Sequence, residues 1–153
     1  MINLPLLYFG YIIILFSIIG FGYLSTKLLS IRLSIGELGL SGILFMTILS
    51  YITNLFVSHG FIHNSIFLVT GLFGFYLISK KKLFRKKIKL ILLVSLVLFV
   101  GILMHKTHDD FFYYHLPYTI SLIEFKKIFG VGNLEHGFRT PSSIFYLNSL
   151  FYL

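Results

Sequence analysis

FIHNSIFLVTGLFGFYLIS-KKKLFRKKIK-LILLVSLVLFVGILM, residues 61–104, sets two apolar runs around a block of cations. The first run, 61–79, has nineteen residues without a charged side chain, and the second, 90–104, has fifteen. Between them, seven of ten residues are Lys or Arg. A helix needs about 20 apolar residues to cross a bilayer core, and a basic block between two such helices is retained on the cytoplasmic side. The stretch predicts two transmembrane helices joined by a cytoplasmic loop at 80–89. The latter of these two helices is taken as 88–104, with Lys89 snorkelling at one end and His105 or Lys106 at the other.

Composition extends this reading to the whole chain. Of its 153 residues, 57% are hydrophobic, 18% aromatic and only 12% charged, with a mean hydropathy of +0.92. A soluble domain is about a quarter charged, so the apolar excess must face lipid. The net charge of +8 would suit nucleic acid, but seven of the thirteen cations lie at 80–89, directly beside apolar spans. Membrane orientation and anionic headgroups account for that placement, and no nucleic-acid partner is expected. With no cysteine, there is no disulfide framework, thiolate metal site or thiol nucleophile.

The remaining spans follow from the same rule. Residues 5–24 form a first span, retained rather than cleaved because the first cation, Lys27, follows the apolar run instead of preceding it. Lys27 and Arg32 place 25–37 on the cytoplasmic side, in agreement with 80–89. Residues 38–57 form the second span. Gly36, Gly39 and Gly42 recur at its start, as Gly71 and Gly74 do in the third, and both sets are read as close helix contacts. A phosphate loop would need a preceding strand and a lysine that are absent from this sequence. In the outer turn 58–64, His59 and His63 have the spacing of a shared metal on a helix, but two amphipathic rings at headgroup level are the plainer reading.

Residues 105–142 then lie outside. HKTHDDFFYYH, 105–115, holds three of the six histidines and two of the five acids. Asp109 or Asp110 is a natural N-cap for a helical turn at 111–116, and Pro117 suits the first turn of an interfacial helix at 117–129 that stops at Gly130. The loop 131–141 carries Asn133, Glu135, His136 and Arg139, and Ser142 or Ser143 caps a helix at 143–153. Those eleven residues span about 16 Å, half a bilayer core, so they are read as a partial fifth span. The chain is expected to be a single membrane domain, the N-terminal part of a longer protein.

Three chemistries compete at 105–115. Asp109 or Asp110 could serve as a general base near the membrane surface, while the other caps a helix or pairs with Arg139 or Lys106. His108, Asp109 and His115 at helical spacing could hold a divalent metal such as Zn²⁺ or Mn²⁺. Tyr113, Tyr114 and Tyr118 suit an aromatic interface belt.

An outward Asp-Asp pair after an outgoing helix, followed by an interfacial helix, resembles the first outer loop of the GT-C superfamily of glycosyltransferases. The fuller pattern, HDDFFYYHLPY with GNLEHGFRTPSS, also resembles an uncharacterised family of bacterial multi-pass membrane proteins. In GT-C enzymes the acidic pair usually follows the first span; here it follows the fourth. The resemblance implies sugar transfer from a polyprenyl-phosphate donor to a glycan or lipid acceptor. Asp109 and Asp110 would be catalytic, and His108, His115, Asn133, His136 and Arg139 would bind substrate. The expected architecture is all-α, a polytopic bundle in the inner (plasma) membrane with an outer-face interfacial helix. The alternative is a non-enzymatic membrane protein, a transporter fragment or assembly subunit.

Overall fold

The computed structural model describes residues 3–104, 106, 109–133, 138–139 and 142–153. Among them the chain forms six α-helices and no strand: α1 Leu4–Leu28, α2 Ile35–Asn54, α3 Phe61–Ser79, α4 Lys82–Leu103, α5 His115–Glu124 and α6 Ser143–Ser149. Two 3-10 turns, Asp109–Phe111 and Val131–Asn133, flank α5. The chain divides into two compact units. Unit 1 is Met1–Ile43 with Val69–Lys106, and unit 2 is Leu44–Leu68 with Thr107–Leu153. Three helices, α1, α2 and α3, are long and apolar enough to cross a membrane.

Capping chemistry moves the helix ends away from the edges of the apolar runs. The Asn3 side chain accepts the Leu6 amide to open α1, with Pro5 in the first turn. At its far end α1 runs past residue 24, because the Ser25 and Thr26 hydroxyls turn back onto the Gly22 and Tyr23 carbonyls at 2.7 Å each. Polar residues satisfied in this way need not leave a helix. Helix α2 starts and ends three residues before the 38–57 expected. Ser34-Ile-Gly-Glu37 has capping-box spacing, and the Glu37 carboxylate accepts the Ser34 amide at 2.6 Å. Helix α3 matches its apolar run. Helix α4 takes in the cations from Lys82 to Lys89 ahead of its apolar half.

In unit 1, α1 is the hub. Ile19 and Tyr23 of α1 form a core with Leu38, Ile78 and Phe84, and Phe16 stacks on Phe75 with ring centroids 4.1 Å apart. Small residues let the backbones meet. A Cβ on Gly20 would land on the Gly71 carbonyl, and one on Gly71 would land on Ser17. On α2 the contact residues are Leu38, against Gly22, and Gly42, against Ile18.

The expected contact face of Gly36, Gly39 and Gly42 is therefore only partly realised: a Cβ on Gly36 or Gly39 would meet nothing within 4 Å. The reason is helical phase. At about 100° per residue, a repeat of three falls some 60° short of a full turn at each step, so the glycines wind around the helix. Leu38 and Gly42, four apart, stay on one side. Helix α4 joins by a narrow stripe, with Phe84, Ser95 and Phe99 buried and Leu90, Leu93, Val97 and Val100 facing outward.

This packing predicts opposite outcomes for two equivalent changes. Gly20→Ala should destabilise the protein by about 1–3 kcal/mol, the usual range for overpacking. Gly39→Ala should be neutral or stabilising by up to about 1 kcal/mol through helix propensity. Thermal unfolding of the two variants in one detergent checks the contrast.

Candidate functional site

Unit 2 is organised by polar side chains that are buried at the ends of apolar helices. Asn54, the last residue of α2, is fully buried. Its side-chain amide donates to the Leu122 and Phe125 carbonyls at 3.3 and 3.4 Å, and its own backbone carbonyl accepts the Lys127 amide at 2.7 Å. The His59 amide also donates to Leu122, at 2.9 Å. The Leu122 carbonyl of α5 and the Phe125 carbonyl just beyond it are satisfied from outside the helix, and the chain leaves it through an extended Phe125. That is why α5 ends at Glu124 instead of continuing to the expected residue 129. Gly130, with φ +85°, serves a turn and not the end of that helix.

Asn64 does the same for α6. Its side-chain amide donates to the Ser149 and Tyr152 carbonyls, both at 2.8 Å. The Ser142 hydroxyl caps the start of α6 by accepting the Ile144 amide, as its position suggested. Helix α6 therefore closes at Ser149, short of residue 153.

His59 lies at 0% exposure, inside the fold and not on its surface. Its Nδ1 is 2.6 Å from the Ser149 hydroxyl, and its Nε2 is 3.2 Å from the Ser50 carbonyl. The His63 ring stacks on it at 4.8 Å. Burial first, and the neighbouring His63 second, push its pKa down to about 4, against the opposing pull of the Ser50 carbonyl. With both nitrogens engaged by protein atoms, His59 is a structural residue rather than half of a metal pair.

Tyr118 is also buried, at 4% exposure, and leaves the expected aromatic belt; Tyr113, 74% exposed, remains available for it. Tyr118 and the fully buried Tyr146 bring their hydroxyls to 3.4 Å, and the Lys127 ammonium donates to both. Burial, with the Tyr146 hydroxyl beside it, raises the Tyr118 phenol to about 12, so it stays neutral and accepts from the lysine. The sequence signal for this network is a set of Asn, His, Ser and Lys residues at or near apolar helix ends, where an unpaired polar group is expensive.

The expected catalytic pair begins the first 3-10 turn. Asp109 is exposed and Asp110 half-buried. The Asp110 carbonyl accepts the Tyr113 and Tyr114 amides at 3.2 Å each, fixing the turn to the entry of α5. The aspartates thus sit inside a turn and do not cap a helix at 111–116. Helix α5 begins at His115 with Tyr114 as its N-cap residue. The His115 ring packs on Tyr114 and Phe145, with centroids 4.3 and 5.0 Å away.

Asn133 ends the second 3-10 turn, exposed, its amide bonded to the Gly130 carbonyl at 2.9 Å. Arg139 is exposed and donates from Nε to the Gly132 carbonyl at 3.2 Å. Among the described residues no ion pair joins Asp109 to Arg139. His108 and His136 lie outside the described residues. The structure therefore links Asp109, Asp110 and His115 along one short segment and ties Arg139 to the loop at 130–133. Among the described residues no three of His, Asp and Glu gather as a metal-binding set.

A family model matches residues 4–153. The chain belongs to the family described as domain of unknown function (DUF8201). No curated protein and no solved structure matches it.

The depressed His59 fixes the sign of a pH effect. The folded chain binds this proton more weakly than the unfolded chain, so the contribution is complete above pH 6.5 and is lost as pH falls toward about 4. Across that window stability should fall at up to about 1.4 kcal/mol per pH unit. A His59→Gln variant should be less stable at pH 8 and should lack this component of the slope. Equilibrium unfolding of both proteins between pH 8 and 4 checks it.

Proposed function

We propose that the chain is a multi-pass membrane protein that transfers a sugar from a lipid-phosphate donor at the outer face of the inner (plasma) membrane. Supporting the membrane setting are three helices of spanning length and apolarity and the outward-facing apolar residues of α4. Helix α4 is a fourth span in this reading, with residues 80–89 cytoplasmic and 105–142 outside.

The observation that carries the reaction is Asp109: an exposed carboxylate on a short turn whose backbone is fixed from within. Such a group is open to substrate while its position is held, as a general base requires. Asp109 takes the proton of an acceptor hydroxyl as that oxygen attacks C1 of the donor sugar. The bond from C1 to the phosphate oxygen breaks, and the phosphate leaves on its lipid with the electron pair. Arg139 is the candidate for the donor phosphate, because a guanidinium binds its oxygens bidentately.

The test uses the purified chain in proteoliposomes with a polyprenyl-phosphate sugar and an acceptor glycan. Wild type should transfer sugar, and Asp109→Asn should slow transfer by about 10²–10⁴-fold, the usual contribution of a positioned base. Undiminished transfer by Asp109→Asn would remove the residue from the mechanism. No transfer by wild type would favour a non-enzymatic membrane role.

A further inference from the structure

The basic end of unit 1 bears a half-open cavity that the proposed reaction does not use. It measures about 640 Å³ and is formed where α1 and α3 end and α2 and α4 begin. Lys27, Arg32, Lys81 and Lys87 line it, and its described lining residues include no carboxylate. Two of these cations converge on one ring: the Lys81 ammonium lies 4.7 Å, and that of Lys27 5.8 Å, from the centre of Tyr23. The nearby acid, Glu37, is directed to the Ser34 amide. Apolar side chains, among them Leu33, Ile78 and Leu83, complete the wall.

Two further features bear on what fills such a space. Helix α4 opens on Lys81 with no side-chain cap and no acid in its first turn. A helix N-terminus carries a partial positive charge and favours an anion, yet here cations crowd it. The second feature is Ser30, a lining residue held at φ +54°. It follows the end of α1, where the Ile31 amide reaches back to the Thr26 carbonyl at 3.1 Å. This is the helix-ending motif that glycine usually serves. Non-glycine residues held in this conformation concentrate at ligand-binding sites.

We propose that this cavity binds the phosphate of a lipid whose headgroup carries a net negative charge. The four cations supply charge for the phosphate, and the apolar wall accepts the start of an acyl chain. Neither a metal cation nor a neutral headgroup has a partner of suitable charge in this lining. The described lining belongs to unit 1 and does not include Asp109, and the proposal does not depend on the sugar-transfer reading.

The test is thermal unfolding of the full chain in a non-ionic detergent, titrated with phosphatidylglycerol, phosphatidylcholine or glycerol 3-phosphate. Phosphatidylglycerol should raise the midpoint saturably by about 5 °C or more, while phosphatidylcholine leaves it unchanged. Arg32→Gln with Lys81→Gln should abolish the shift. Lys82→Gln with Lys86→Gln, which removes the same charge from residues outside the lining, should preserve it. Equal stabilisation by glycerol 3-phosphate would keep the phosphate site and overturn its assignment to a lipid. Equal stabilisation by phosphatidylcholine would overturn the proposal, as would equal loss in the two double variants.

Discussion

Unit 2 depends on the rule that a polar group removed from water must be paired. Asn54 and Asn64 stand at the end of α2 and near the start of α3, fully buried, and each spends its side-chain amide on two backbone carbonyls. Those carbonyls lie at or just beyond the ends of α5 and α6, where the helix supplies too few donors of its own. One pair of asparagines therefore ends two helices and ties both to the segment that joins α2 to α3. His59, between them, adds its amide to Leu122 and its ring to Ser50 and Ser149. The aromatic core of Tyr118, Leu122, Phe145 and Tyr146 packs beneath this network.

The helices themselves were legible because apolar run length is a property of sequence alone. Helix α3 needed nothing more, and the Ser34–Glu37 capping box explains how α2 shifts from its apolar run. The ends of α5 and α6 were not legible. Their stop signals are Asn54 and Asn64, some 60 to 90 residues away in the chain. Gly71 and Gly74 were readable as contacts; Gly36 and Gly39 mislead because spacing alone does not say which side of a helix meets a neighbour.

The candidate site divides in the same way. The position of Asp109 and Asp110, directly after α4, was evident from polarity. That they form a 3-10 turn, and that Arg139 turns to Gly132, depends on backbone geometry that residue types do not encode. The burial of His59 and Tyr118 was hidden for a related reason. Amphipathic rings suit an interface in general, but a ring that finds several polar partners inside can be buried fully.

The two proposals draw on different units. Unit 1 gathers cations around a half-apolar cavity at the basic end of α4; unit 2 presents an exposed carboxylate on the turn after α4. The account requires the segments at the two ends of α4 to face opposite sides of a bilayer. Because the chain has no cysteine, a single introduced thiol reports this directly. Lys106→Cys should react with a membrane-impermeant maleimide in intact cells, and Lys86→Cys should react only after permeabilisation. The reverse pattern, or equal labelling of both in intact cells, would contradict the account.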